Sequence, residues 1–107
     1  MKLEAGEVVS LLGPSGCGKT TLLKLASGIE KLQYGEIKLN DEIVSSFNFH
    51  LNSDKRQIGY VFQDCALFPH LTVIENIFFG IKKNHLEKSS KKIQNLMDEI
   101  DISNLAY

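Results

Sequence analysis

Residues 13–20 read Gly13-Pro14-Ser15-Gly16-Cys17-Gly18-Lys19-Thr20, and this stretch decides the fold. It fits the phosphate-binding pattern of two glycines, separated by four residues, that are followed at once by lysine and threonine. The glycines let the backbone turn sharply and approach a polyphosphate closely. The loop amides would then face inward as an anion-binding nest, and the helix that follows would add the positive end of its dipole. The stretch therefore predicts a nucleotide-binding loop.

The two residues that close the pattern carry its chemistry. Lys19 would supply a point charge to the β- and γ-phosphates, and the Thr20 hydroxyl would hold a magnesium ion. The alternative interpretation is a glycine-rich turn with a lysine nearby, which would bind no ligand. The surrounding sequence separates the two interpretations, because a phosphate loop lies between a strand and a helix.

The flanking sequence predicts both elements. Residues 7–12 form a short, mostly apolar run, which predicts a buried parallel strand over residues 8–12. After the loop, apolar residues recur with helical spacing and Gly28 lies near the expected end of the helix. Residues 58–62 are a second candidate core strand, which ends at Gln63. The order of strand, glycine loop and helix favours nucleotide binding.

The composition of the chain excludes several classes of protein. The chain has 107 residues, of which 43% are hydrophobic, and this is enough for one small domain with a core. The formal net charge of −1 provides no positive field, so we expect no nucleic-acid partner. Neither a membrane span nor a signal-peptide core is evident, and two cysteines do not make a disulfide scaffold. We expect a cytoplasmic protein.

The middle of the chain predicts a β-hairpin. Residues 35–39 alternate between apolar and polar side chains, and Asn40-Asp41 offers a turn into Ile43-Val44. Residues 45–55 are polar and irregular, which indicates a loop or an edge strand.

Two helices are predicted in the last third. Thr72 and Glu75 have capping-box spacing and start a helix expected to run from residue 73 to 81. From residue 87 onward an apolar stripe of Ile93, Leu96, Met97 and Ile100 follows the helical period. Asp98 and Glu99 imitate the aspartate-glutamate pair that ends an ATPase strand, but the helical period of their neighbours predicts a surface position on a helix.

A second block, separate from the phosphate loop, identifies a family. Residues 56–73, continuing through Glu75-Asn76-Ile77, resemble the ATP-binding subunits of ABC transporters, most closely bacterial importers of ferric iron, molybdate, sulfate, polyamines and sugars. The resemblance implies an α/β fold, namely a P-loop NTPase core with an antiparallel β-hairpin side. Residues 1–71 would form the phosphate-loop core, and residues 72–107 would form the start of a helical subdomain.

The resemblance also implies the site, the ligands and the partners. ATP and Mg²⁺ would be the ligands, with Lys19 and Gln63 as catalytic residues and Thr20 and Gln63 as metal ligands. Residues 67–70, from Leu67 to His70, would receive a helix of the transmembrane permease, although Phe68 could instead fold back onto its own core. A second ATP-binding subunit would complete a dimer, peripheral on the inner face of the membrane. The nucleotide-binding residues would be Gly13, Pro14, Ser15, Gly16, Cys17, Gly18, Lys19, Thr20 and Thr21.

The sequence also departs from the family pattern. It has no aromatic residue before Gly13, no serine-glycine-glycine signature, and no switch histidine after an aspartate-glutamate strand. We therefore expect a partial domain, trimmed at both ends, which hydrolyses little ATP alone. One alternative is a nucleotide-binding remnant without hydrolytic activity. Another is a different P-loop enzyme, but a GTPase lacks its asparagine-lysine-x-aspartate motif here and a kinase would need more arginines than Arg56.

Overall fold

The structure is a computed structural model that describes residues 1–81 and 85–105. The chain divides into two compact units, residues 1–60 and residues 61–107. Among the described residues, no helix is long and apolar enough to cross a membrane. The helices and strands are α1 (Lys19–Ser27), β1 (Ile37–Leu39), β2 (Glu42–Ser46), β3 (Phe49–His50), α2 (Val73–Phe78) and α3 (Leu86–Glu99), with short 3₁₀ turns at Ser53–Lys55 and Ser103–Leu105.

Helix α1 begins and ends at glycines. Gly18 precedes the helix with φ of 99°, and Gly28 follows it with φ of 85°. The Ile29 amide donates to the Lys24 carbonyl at 3.0 Å, which closes the last turn in the manner of a left-handed C-cap. Both positions need a residue without a Cβ, since side chains disfavour positive φ. The predicted helix after the glycine loop is therefore confirmed.

The predicted hairpin is confirmed as the first two strands of an antiparallel sheet in the order β1-β2-β3. Asn40 and Asp41 have φ of 50° and 66°, as the two central residues of a type I′ turn require. Strand β3 pairs with the end of β2, so that Ser45 lies opposite His50. Residues 45–55 therefore contain both predicted features, an edge strand at Phe49–His50 and irregular structure after it that includes the 3₁₀ turn Ser53–Lys55.

Arg56 lies at the polar centre of the first unit and is 5% exposed. Its guanidinium approaches the His50 Nδ1 to 3.3 Å, and burial lowers the pKa of Arg56. Because Leu25 and Ala26 are at the end of α1, one side chain joins that helix end to the sheet. The guanidinium donates hydrogen bonds of 2.6–3.1 Å to the carbonyl oxygens of Leu25, Ala26, Val44 and Leu51 and to the Ser45 hydroxyl.

The two predicted core strands are the main error of the sequence analysis. The structure assigns no strand to residues 8–12 or 58–62, and Val8 and Val61 are 97% and 85% exposed. A parallel strand forms only against neighbours that complete its hydrogen bonds. Within the described residues the only sheet is the antiparallel one, and neither segment joins it. The mixed α/β class is confirmed, and the parallel core is not.

Helix α2 starts as predicted and ends earlier. The Glu75 amide donates to the Thr72 hydroxyl oxygen at 3.3 Å, and the Thr72 amide donates to the Glu75 carboxylate at 2.7 Å, so the capping box is complete. The hydrogen bond from the Thr72 amide is the largest cause that lowers the pKa of Glu75. The helix ends at Phe78 rather than at residue 81, which agrees with the low helix propensity of Gly80.

Helices α2 and α3 build the apolar core of the second unit. Met97 is 1% exposed and lies with Ile93 one turn away on α3. The other two residues of the predicted stripe, Leu96 and Ile100, remain exposed. Of the stripe, the i and i+4 residues Ile93 and Met97 are therefore buried, and the other two residues are exposed to solvent. The side chains packed around the pair are Ile74, Ile77, Phe78, Ile81 and Ile102.

Asp98 lies on α3 as predicted and not at the end of a strand. Its carboxylate accepts hydrogen bonds from the Ser103 hydroxyl and from the Gln94 amide, the latter at 3.0 Å. The Ser103 bond and then the Gln94 bond lower the pKa of Asp98. Both partners lie within five residues of Asp98 in the chain, so these hydrogen bonds stabilise the C-terminal end of α3.

Candidate functional site

The glycine loop of residues 13–18 is a tight turn in front of α1. The Cys17 amide donates to the Pro14 carbonyl at 3.3 Å. Gly16 has φ of 81°, and a Cβ at Gly13 would lie 2.7 Å from the Cys17 sulfur. With Gly18 at the start of the helix, all three glycines occupy places that a side chain would strain or fill. The backbone can therefore approach a ligand closely here.

The first amides of α1 are directed toward this loop. The first hydrogen bond of the helix runs from the Leu22 amide to the Gly18 carbonyl at 2.9 Å. The amides of Lys19, Thr20 and Thr21 precede it and, as at every helix N-terminus, have no carbonyl of an earlier helical turn to bond. Thr20 and Thr21 are exposed. Free amides, exposed hydroxyls and the positive helix end together can bind an anion.

Lys19 lies across the loop. Its ammonium donates to the carbonyl oxygens of Gly13 and Pro14, the second at 3.0 Å. The structure thus brings the ammonium of the predicted lysine into contact with the backbone of the predicted loop. A phosphate placed there would exchange two neutral acceptors for a charged one, which forms the stronger hydrogen bond.

Gln63 lies in the second unit, on a turn that begins at Phe62. The Cys65 amide donates to the Phe62 carbonyl at 3.0 Å, and Gln63 is exposed at a corner of this turn. Cys65 and Ala66 follow with φ of 64° and 44°. Two consecutive left-handed residues other than glycine are uncommon and are found at functional turns more than elsewhere. The roles of Gln63 in catalysis and metal binding stay predictions.

The aromatic loop, which we define as residues 67–71, follows this turn in the chain and carries exposed apolar side chains. Phe68 is 39% exposed, and its ring stacks on Phe79 with 4.3 Å between ring centroids. The His70 ring meets Phe68 edge-on at 6.0 Å. Phe68 is not among the side chains packed on the α3 core, and both Leu67 and Phe79 are exposed. The structure thus packs Phe68 on a second exposed ring.

Arg56 and Asn76 organise these two regions, and neither role is predicted from the sequence. For Asn76 a signal was present, since capping-box spacing places it in the first turn of a helix, beside the loop that precedes it. For Arg56 there was none, because its acceptors are backbone carbonyls, which every residue has.

The donor set for a metal ion is small. Within residues 1–81 and 85–105 no group of three or more histidine, cysteine, aspartate or glutamate side chains could hold a metal. The exposed Thr20 hydroxyl remains, and this fits Mg²⁺, which is commonly held by one or two protein oxygens together with phosphate oxygens and waters. A nucleotide-borne magnesium ion suits these residues.

The comparisons with known proteins agree on one family. The family model described as "ABC transporter" matches residues 1–107. The Fe(3+) ions import ATP-binding protein FbpC 2 of Haemophilus influenzae is 42% identical over 106 residues, which cover 97% of this chain and 30% of that protein.

Relatives named for other solutes match equally well. The spermidine/putrescine import ATP-binding protein PotA of Hahella chejuensis is 40% identical over 99% of this chain and 28% of its own length. The sulfate/thiosulfate import ATP-binding protein cysA of Cucumis sativus is 38% identical over 99% of this chain and 31% of its own length. The chain spans less than a third of the length of the curated relatives it matches.

Proposed function

Because the chain belongs to the ABC transporter family, we propose that it is the phosphate-loop part of an ATP-binding subunit whose ATPase activity drives solute import. The observation that carries the proposal is the loop itself, in which left-handed glycines, the first amides of α1 and the Lys19 ammonium converge. The relatives' names, all import ATP-binding proteins, support the direction of transport. They name different solutes, so the proposal does not include one.

The residues divide the work of binding ATP between them. The amides at the start of α1 donate hydrogen bonds to the triphosphate oxygens, and Lys19 leaves the carbonyls of Gly13 and Pro14 to bond the β- and γ-phosphates. Thr21, in the first turn of α1, contacts the α-phosphate. Mg²⁺, when bound with the nucleotide, would neutralise the charge that develops on the phosphates, with Thr20 and Gln63 as its protein ligands.

Gln63 and the aromatic loop serve the coupling of hydrolysis to transport. Gln63 orients the attacking water, and residues 67–70 receive a segment of the transmembrane permease. Exposed aromatic side chains among polar neighbours support an interaction surface. The subunit then lies on the inner face of the membrane and pairs with a second ATP-binding subunit.

A specific observation favours a second, narrower function for these 107 residues alone. Asp98 is bonded to Gln94 and Ser103 at the end of a helix, so it does not supply the magnesium-binding carboxylate of an ATPase. We infer that the chain by itself binds nucleotide and hydrolyses it slowly.

Titration of nucleotide into the wild-type chain and into Lys19→Ala tests the proposal. A charge-assisted contact contributes about 1.5–3 kcal/mol, so the variant should bind MgATP at least about tenfold more weakly. Lys55→Ala, which removes an exposed lysine of the same unit, is the matched control and should bind like the wild type. GTP and inorganic triphosphate should compete with ATP, since the loop amides and Lys19 contact the phosphates and not the base. Unchanged affinity in Lys19→Ala would contradict the site.

A further inference from the structure

The side chain of Asn76 holds the backbone of the aromatic loop. Its Oδ1 accepts from the Phe68 amide at 2.9 Å. Its Nδ2 lies 3.2 Å from the Phe68 and Leu71 carbonyl oxygens and 2.9 Å from that of Thr72. One half-buried amide therefore bonds both backbone groups of Phe68 and both residues that lead into α2.

The orientation of this amide follows from its partners. The oxygen faces an N–H donor and the nitrogen faces three carbonyl oxygens, so exchanging the two atoms would place like groups opposite each other at every contact. Asparagine is thus the side chain that the loop requires. Aspartate would keep the bond from the Phe68 amide and would turn a carboxylate oxygen toward the three carbonyls.

A backbone hydrogen bond to Phe68 also closes the aromatic loop. The Leu71 amide donates to the Phe68 carbonyl at 3.2 Å, so residues 68–71 form a turn, and Pro69 occupies the position where its fixed φ fits. Phe79 follows Asn76 by three residues, which places the two on one side of α2. Asn76 holds the backbone of Phe68 while Phe79 supports its ring, and the aromatic surface has one defined shape.

We propose that Asn76 is a positioning residue that holds the aromatic loop in the shape that receives the permease segment. The proposal rests on the proposed function, in which this loop docks onto the membrane subunit. It adds that docking depends on a side chain that does not itself belong to the docking surface. Asn76 therefore acts through Phe68.

The test uses the full-length ATP-binding subunit reconstituted with its membrane subunits. Asn76→Ala removes all four hydrogen bonds of the side chain. Asn76→Asp keeps the bond from the Phe68 amide and replaces the other three with contacts between a carboxylate oxygen and carbonyl oxygens. Asn95→Ala on α3 is the control for loss of an exposed helical asparagine. Alanine has the higher helix propensity, so a loss in Asn76→Ala does not come from a weaker helix. Association of the membrane subunit should weaken about tenfold in both Asn76 variants, with MgATP affinity unchanged.

Two further measurements separate positioning from general stability. Hydrogen exchange of the Phe68 amide should speed up in Asn76→Ala and stay as in the wild type in Asn95→Ala. In a double-mutant cycle, Asn76→Ala should add little to Phe68→Ala, because one residue acts through the other.

Each outcome has one meaning. If Phe68→Ala weakens association but both Asn76 variants associate like the wild type, Asn76 has no positioning role and the docking assignment stands. Additive losses in the double mutant would also overturn the positioning role. If Phe68→Ala itself leaves association unchanged, the docking assignment fails, and the positioning role of Asn76 in docking fails with it.

Discussion

The sheet around Arg56 and the segment that leads into the phosphate loop lie in the same unit and differ sharply in burial. Val44 on β2 is 4% exposed, whereas Val8 is 97% exposed. Each strand of the sheet has its partner strand within a short stretch of chain, because hairpin strands are neighbours in sequence. Arg56, which follows them, donates hydrogen bonds to β2. Residues 8–12 have a more apolar sequence than β2 and no strand beside them among the described residues. Apolar character alone does not make a strand.

The largest expected effect tests whether one side chain holds the sheet region together. Arg56→Ala removes the donor of five hydrogen bonds. The carbonyl oxygens of Ala26 and Leu51 lose the bond that Arg56 gives them, whereas those of Leu25 and Val44 keep the Gly28 and Leu51 amides. We expect the free energy of unfolding in urea to fall by about 2–4 kcal/mol. Arg56→Lys, which keeps the charge but has fewer donors on a shorter head group, should lie between the alanine variant and the wild type.

The neighbouring residue supplies the control for that loss. Lys55 is an exposed cation on the 3₁₀ turn directly before Arg56, so Lys55→Ala should change the stability by no more than about 0.5 kcal/mol. Equal losses in the Lys55 and Arg56 variants would show that the loss of a positive charge, and not the buried hydrogen bonds, determines stability in this region.

The sequence predicts the elements whose signals are local. Asn40-Asp41 marks its own turn, Gly28 its own helix end, and Thr72 with Glu75 its own capping box, because each acts on backbone groups a few residues away. The left-handed glycines of residues 13–18 and the start of α1 at Lys19 belong to the same class. The two predicted core strands are of a different kind, because a strand forms only beside partner strands, which its own sequence does not specify. The Arg56 hydrogen bonds could not be predicted for the same reason, because their acceptors belong to other segments of the chain.

A matched pair of truncations measures the difference between the two regions directly. Val44→Ala deletes two methyl groups from a buried position and should lower the free energy of unfolding by about 2 kcal/mol. Val8→Ala makes the same chemical change at an exposed position and should cost no more than about 0.5 kcal/mol. Denaturant melts of the two variants give the comparison. A cost at Val8 equal to that at Val44 would mean that residues 8–12 are buried in solution, and the contrast between the regions would disappear.

The smallest expected effect concerns residues 13–18, which follow the exposed segment of residues 8–12. It tests whether bound nucleotide covers this loop. Cys17 and Cys65 are both exposed, so a neutral alkylating reagent should reach both in the free chain. Bound MgATP should shield Cys17, and at ten times the Kd its labelling rate should fall about tenfold, in proportion to the unbound fraction. Cys65 serves as the reference within the same molecule, and its rate should fall less. Lys19→Ala should lose most of the protection at the same ATP concentration, since its affinity is lower. If Cys17 and Cys65 react alike with and without MgATP in the wild-type chain, the loop stays open when nucleotide is added, and the assignment of residues 13–21 to nucleotide binding is wrong for this chain.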